Sequence, residues 1–599
     1  MLTVPRRIIT RRNNKTSTVK GGEVVARMLR AEGVEKVFGI VDGTYLGLFA
    51  AFPALGIDLI SPRHETSAAH MAGAYARLTG KLGVCMASNG PGVANILPGV
   101  AVENAEGNRV LLITSARRAP IIDPDRGGTY QNFPQVEVTA PMVKWSCRVP
   151  SFERIPEIMR KAFRVSWSGR PGVVHVDIPE NIMNGKFEIA PGWLREPSRY
   201  RSVGPIVPSD DLVERAAEML VSAKLPLVHA GAGVIHAQAW GELAALLELL
   251  HCPVTTSWSA RDVVAEMPAY AIPMPHVELV KKVRNEADVV LTLGSRLGET
   301  DLWGKPPYWA PPSRQKMVQV DIDQQTMGLN KPVDVGIVAD AKAFLQKLVP
   351  AVAARAERID IAGRRAKLAQ YMDERSKGRA RLYKRLQDMS SPMNPAHVAA
   401  TCRRVFNDDA IAVFDGGNAA VWAHFYHEVR VPNSLLFTSK FGMLGAGTAQ
   451  ALGAKVAFPQ RQVYCITGDG AMGFHMQEIE TAVRHSLNVV YIVLCDRQWG
   501  MVKINQSFAL KPLKTLLRKS LAPGETINTD LGEIEFDRLA EAMGAHGERV
   551  SHPAALEEAL ARCAALDRPA VIHVDVDPVK HMWAPGLRHF RDMHLEPKG

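Results

Sequence analysis

The chain has 599 residues, enough for three or four domains of about 150 residues each. Its composition, 47% hydrophobic and 22% charged, excludes a mainly disordered chain, a collagen and a small disulfide scaffold. The net charge of +11 would suit a nucleic-acid partner, but it is concentrated in two places. Residues 1–22 hold six basic side chains and no acid, and residues 355–385 hold eleven basic against four acidic, which leaves the rest of the chain slightly acidic. Both segments are read as solvated surface, so no nucleic-acid partner is expected. The N-terminal tail, 1–19, has no apolar h-region, and a disordered tail rather than a targeting signal is expected there. No apolar run reaches about 18 residues, so no membrane span is expected. Seven cysteines at least 30 residues apart, with no C-x-x-C, suit a reducing compartment such as the cytoplasm.

Short β-branched runs alternate with longer amphipathic stretches. In chain order the runs include Val110–Thr114, Val173–Asp177, Val289–Gly294, Val318–Asp323, Val463–Thr467 and Val489–Leu494. Such runs predict buried parallel strands with helical crossovers, an α/β class of three doubly wound sheets. Two breaks divide the chain: Pro191–Pro208, rich in Pro, Ser and Arg, and the charged stretch 350–394. The expected domains are 20–185, 205–350 and 390–580, with a basic helical linker at 351–389. The first and third open alike, with a helix, then a strand ending in a Gly-rich turn (Phe38–Gly43 and Ala412–Asn418), a hint of related architectures. The tail 581–599 mixes aromatic and basic side chains, and either frays or closes as a lid; fraying is the expectation.

The most informative stretch begins at Val463, where a strand runs through Gly468-Asp469-Gly470 into a helix expected to extend from Ala471 to Arg484. Strand, glycine turn and helix N-terminus make an anion site. A carboxylate there makes sense if a divalent cation lies between it and a phosphate. Twenty-seven residues after Asp469 the next strand ends at Asp496-Arg497-Gln498. Neighbouring parallel strands would bring Asp469 and Asp496 to one edge, and hard oxygen ligands shared with phosphate describe Mg²⁺. Either element alone is more often a plain turn; the pair at this spacing is the signal.

This pattern resembles the thiamine diphosphate motif, and residues 20–580 resemble the acetolactate synthase superfamily. The resemblance implies a pyrimidine-binding, a central and a diphosphate-binding domain in that order. It implies Mg²⁺ held by Asp469, by the backbone oxygen of Gln498, and by Asp496, which stands where the family usually has Asn. It implies cofactor contacts from Gly468, Gly470, Ala471, Gly500, Met501 and Val502. The Asp415–Ala419 turn resembles the one that contacts the diphosphate, with Asn418-Ala419 in place of the frequent Gln-His. Phe441–Gly445 resembles the segment that bends the cofactor: Leu444 as the apolar wedge, the Gly442 carbonyl receiving the 4′-amino group.

Thiamine chemistry needs a carboxylate that protonates the aminopyrimidine, whose imino nitrogen then removes the C2 proton. The resemblance assigns this to Glu65, at the start of a small-residue helix where a dipole-favoured acid would otherwise be the plain reading. Ala87–Gly92 resembles the glycine turn beside the pyrimidine, with Gly90 in it and Asn95 in the helix after it. Gly127–Gln131 resembles the segment whose Gln131 reaches the active site. In the family the activating Glu reaches a partner's diphosphate domain, which implies a homodimer or homotetramer. Gly294–Gly298 and Val320–Asp323 resemble stretches lining an FAD or ADP site, although a carboligation without net redox change needs no flavin.

The cofactor implies attack on a carbonyl or cleavage beside one. Gly500-Met501-Val502 resembles acetolactate synthase, which decarboxylates one 2-oxo acid and joins the fragment to another; Ile504-Asn505 departs from its Gln-Trp. The alternative is a 2-hydroxyacyl-CoA lyase or oxalyl-CoA decarboxylase, resembled by Tyr130–Glu137 and Gly304–Tyr308, for which the basic run 355–385 would suit an acyl-CoA. A non-catalytic regulatory subunit is the third reading. It would predict decay of Glu65 or of the cation ligands, and all are chemically competent.

Overall fold

In the computed structural model the described residues are 17–189, 192–266 and 268–595, so most of the N-terminal tail lies outside them. The chain divides into two compact units at Val203–Gly204, with Gly73–Gly80 belonging to the second.

The first unit is built on a six-stranded parallel sheet. Its spatial order is Asp58–Ile60, Lys36–Gly39, Gly83–Ala87, Val110–Ala116, Val173–Pro179 and Trp145–Arg148. Its central strands are buried along their whole length, as helices on both faces require. An antiparallel pair, Ser17–Lys20 with Lys186–Ile189, joins the two ends of this unit. Both strands reach past the expected limits of 20 and 185, because a strand cannot be left without its partner's hydrogen bonds.

The second unit holds two parallel sheets. One has five strands in the order Val254–Thr256, Pro226–Ala230, Val289–Leu293, Lys316–Asp321 and Val335–Val338. The other has six: Leu435–Leu436, Ile411–Phe414, Val463–Gly468, Val489–Cys495, Ala570–Asp575 and His546–Val550. Numbered within their own sheets, the strands of the first and third sheets both run 2-1-3-4-6-5. The similar opening turns thus belong to one repeated topology. In every sheet the order reverses between the first and third strands, and ligands of open α/β sheets bind at the carboxyl ends there.

Two expectations fail in this unit. The helix expected at Ala471–Arg484 starts at Asp469 and is interrupted at Met476-Gln477, giving Asp469–His475 and Glu478–Arg484. It starts early because Asp469 Oδ1 accepts from the Gly470 N–H (2.7 Å) inside its own first turn. As far as residue 595 the C-terminal tail does not fray: Pro578–Met582 and Leu587–Met593 are helices, with His581, Met582 and Met593 buried. Asp577 caps the first of them through the Val579 and Lys580 N–H groups (2.9 and 3.0 Å). The rings of His589 and Phe590 lie against Trp258.

The basic linker also differs from a plainly solvated face. Its main helix is Ile361–Tyr383. Arg364 is 2% exposed and donates to the carbonyls of Leu220, Val221, Ala223 and Leu250 at 2.6–3.0 Å. Arg375 donates to the carbonyls of Glu266, Pro268 and Ala271. The arginines close backbone carbonyls left open at element ends, which a charge count does not reveal.

Candidate active site

The carboxyl edge of the third sheet gathers four segments. Val463–Gly468 and Val489–Cys495 are neighbouring parallel strands, with Gly468 opposite Leu494. Asp469 and Asp496 therefore leave the sheet at the same edge. Asp469 Oδ2 accepts from the Arg497 N–H (2.7 Å), which ties one turn to the other. Burial, and after it the neighbouring Asp496 carboxylate, push Asp469 up to about 6. Two acids held in mutual repulsion are what a cation would relieve.

The other two segments close around this pair. A Cβ on Gly416 would touch Ala471 Cβ at 3.4 Å, and one on Gly417 would touch Met501 Cβ at 3.3 Å. Asp415 ties this turn to the next: its Oδ1 accepts from Gly445 N (3.1 Å) and its Oδ2 from Gly447 N (3.0 Å). Gly500 starts the helix Gly500–Leu510, and a Cβ there would lie 2.7 Å from Asn418 Nδ2 and 3.4 Å from Asp496 Oδ2. The N-termini of helices Asn418–Tyr426 and Gly500–Leu510 thus meet beside Asp496, and that of Ala446–Ala457 is tied to Asp415 in the turn before Asn418. Their free N–H groups and dipoles favour an anion. Ala419 and Ala471 are buried here, Leu444 is half-buried, and Gly442 (φ +65°) and Val502 are exposed. The Gln498 carbonyl accepts from the Gly500 N–H (2.9 Å).

Asn418 carries the clearest sign of a missing partner. Its side chain is buried, and among the described residues neither Oδ1 nor Nδ2 has a hydrogen-bond partner. An amide buried this way costs about 1–3 kcal/mol unless a ligand supplies the bonds. The helix that carries it is fixed from outside. Arg261 is paired with Glu266 (2.6 and 3.0 Å) and donates to the carbonyls of His424 and His427 (2.5 and 2.7 Å) at the helix C-terminus. Sequence reasoning passed over Arg261, Asp415 and His581, which donates to Asp496. Asp415 lay inside a quoted turn; Arg261 and His581 gave no local signal, since their partners are 163 and 85 residues away.

The first unit brings together its own expected residues. Glu65 begins the helix Glu65–Thr79, and its Oε2 accepts from Asn95 Nδ2 (3.1 Å). A Cβ on Gly92 would meet Glu65 Oε1 at 3.5 Å, so the glycine turn lies beside the carboxylate. Gly90 (φ +69°) turns against Gln131, where an added Cβ would come within 2.8 Å of Gln131 Cβ. Gln131 is itself held at φ +54°, with its carbonyl accepting from Asn89 Nδ2 (2.9 Å). A non-glycine residue in that region stores strain that active sites commonly hold. The turn is anchored beneath by buried Gln135, which accepts from Gly90 N and donates to the Ser115 carbonyl (2.7 Å).

In the middle sheet the switch point brings Gly231 and Gly233 against Gly294; a Cβ on Gly294 would lie 2.4 Å from Gly233 Cα. Asp321 Oδ1 accepts from Asp323 N and Asp323 Oδ1 from Gln325 N, both at 3.0 Å. These carboxylates serve the turn after the strand.

Three family models match the chain in order. They describe the N-terminal TPP-binding, central and C-terminal TPP-binding domains of thiamine pyrophosphate enzymes, over residues 19–138, 213–348 and 415–574. Acetolactate synthase isozyme 2 large subunit of Escherichia coli K12 is 30% identical over 573 residues, covering 94% of this chain and 97% of its own. The chain belongs to the thiamine pyrophosphate enzymes of the acetolactate synthase kind. Isozyme 3 large subunit of the same organism is 28% identical over 578 residues, covering 95% and 97%. A probable acetolactate synthase large subunit of Methanococcus aeolicus is 28% identical over 579 residues, covering 94% and 92%. A thiamine pyrophosphate enzyme needs a pyrophosphate cradle, and the residues present fit one: an unpartnered buried amide, convergent helix N-termini, and a paired acidic edge. No helix among the described residues is long and apolar enough to cross a membrane.

Proposed function

We propose that the protein is a Mg²⁺-dependent carboligase or lyase that decarboxylates a 2-oxo acid such as pyruvate and passes the remaining fragment to a second carbonyl. The observation that carries this reading is the edge holding Asp469, Asp496 and unpartnered Asn418. Asp469, Asp496 and the Gln498 carbonyl would hold the cation. Asn418, Ala419, Gly468, Gly470, Ala471, Gly500, Met501 and Val502 would surround the diphosphate. Leu444 would press between the rings, and the Gly442 carbonyl would receive the amino group. When bound, thiamine diphosphate supplies a carbon nucleophile and an electron sink for the loss of CO₂. Glu65 holds and moves a proton at its carboxylate, with Asn95 fixing its orientation. Gln131 orients the substrate, and Gly90 gives that segment close approach.

The acyl-CoA alternative drew on the basic run 355–385. There Arg364 and Arg375 are spent on backbone carbonyls, Arg355 pairs with Glu214, and Arg358 pairs with Glu218. That supports the 2-oxo acid. We infer a homodimer or larger homo-oligomer from the family resemblance, and the cytoplasm from the seven unpaired thiols. Protein supplied with thiamine diphosphate and Mg²⁺ is tested against pyruvate and, in parallel, against a 2-hydroxyacyl-CoA. Acetolactate and CO₂ are expected; an aldehyde or ketone with formyl-CoA would replace this reading with the lyase. The visible spectrum of the same sample tests for FAD at the Gly294–Gly298 and Asp321 edge, and sedimentation gives the assembly.

A further inference from the structure

Asp496 is the one cation ligand at which this chain departs from the family pattern, and its surroundings account for the departure. Its Oδ2 lies 2.6 Å from His581 Nδ1, and both side chains are almost wholly buried. A ring nitrogen that close to a carboxylate oxygen has a proton between them, so Nδ1–H donates. Gln498 Nε2 donates to the same oxygen (3.0 Å) and to the Pro578 carbonyl (2.8 Å). Two donors thus converge on Oδ2. An asparagine here, turned to put its NH₂ at that position, would set donor against donor; turned the other way, its only oxygen would be spent on the two donors and its NH₂ would face the cation. A carboxylate satisfies both donors and still presents Oδ1.

We propose that His581 is a positioning residue that fixes Asp496 for the cation, and that it couples the folding of the C-terminal segment 578–593 to magnesium loading. This role rests on the cation site proposed above. The segment is well placed to transmit the coupling. The His581 carbonyl accepts from Trp422 Nε1 (2.9 Å) on the helix that also carries Asn418. Lys580 is paired with Asp388 (2.8 Å), and the following helix packs its rings on Trp258. A cation that binds the ordered arrangement stabilises it by mass action, so the last helices tighten when the site fills.

The test titrates Mg²⁺ into apo-protein at fixed thiamine diphosphate, following tryptophan fluorescence, and compares His581→Leu, His581→Asn, Asp496→Asn and the Asp496→Asn/His581→Leu double variant. Partners outside the ligand set commonly change metal affinity by about 10–100-fold. His581→Leu is therefore expected to raise the Mg²⁺ half-saturation by about 10–100-fold. His581→Asn, which keeps a donor near Nδ1, should stay within about threefold, and the double variant should be no weaker than Asp496→Asn alone. Hydrogen exchange over 578–593 in the unmutated protein should slow when Mg²⁺ and thiamine diphosphate are both present. A folded His581→Leu with unchanged half-saturation overturns the proposal. If that variant does not fold, unchanged exchange over 578–593 overturns it. Unmutated protein that binds thiamine diphosphate equally well without Mg²⁺ overturns the cation reading itself.

Discussion

At Glu65 the carboxylate accepts from Asn95, its one side-chain donor among the described residues, so an isosteric amide fits the same place. Glu65→Gln is expected to keep cofactor and Mg²⁺ affinity within about twofold while turnover falls by about 10²–10⁴, the usual reach of proton transfer by a placed group. Calorimetry beside steady-state rates separates the two; normal turnover would remove Glu65 from the chemistry. Asp301 is a different kind of acid. Against the burial that opposes its ionisation, His229 and Arg284 hold it below the usual carboxylate range. His229 is itself pushed down by burial and is neutral near pH 7, so Arg284, 3.0 Å away, is the charge that matters there. A carboxyl depressed in the folded state stabilises above its unfolded value and loses that stabilisation as pH falls through the folded one. Unfolding free energy should therefore drop as pH falls below about 4, and Asp301→Asn should flatten that drop. The same variant should lose about 3–5 kcal/mol at neutral pH, since Arg284 stays buried without its counter-charge. Urea unfolding at several pH values reads both effects.

Among the elements, the helix Ile361–Tyr383 shows what composition hides. Eleven basic residues in 355–385 read as a solvated face because pattern alone cannot distinguish a guanidinium in water from one closing carbonyls. Arg364→Met would leave four carbonyl oxygens without their donor. A loss of about 3 kcal/mol in unfolding free energy is expected, with thiamine diphosphate affinity unchanged, measured by urea unfolding and calorimetry. The C-terminal helices escaped notice for a related reason. At five and seven residues, Pro578–Met582 and Leu587–Met593 are too short to hold themselves in water. Their order comes from Asp496, Trp422 and Trp258, all remote in sequence. The six strands were legible because a buried β-branched run bounded by turn residues has few other fates, and all six form within two residues of the expected ends.

On the scale of the whole molecule, the Gly-rich turns at Phe38–Gly43 and Ala412–Asn418 carried the trace of a shared topology. The order 2-1-3-4-6-5 itself was out of reach, since strand pairing is set by contacts far apart in the chain. The edge that brings Asp469 and Asp496 together was legible for the opposite reason: they follow consecutive strands that are also neighbours. The seven cysteines have a use that follows from their burial. Six are buried and Cys147 alone is half-buried, on the edge strand Trp145–Arg148, with its thiol pushed up by burial. A small maleimide should label at most one site per native chain and all seven once the chain is denatured. Because the buried thiols are shared out among the sheets, with Cys85 in the first, Cys252 beside the second, and Cys465 and Cys495 in the third, brief alkylation pulses in rising urea, read by mass spectrometry, become a stopwatch for the order in which the layers come apart.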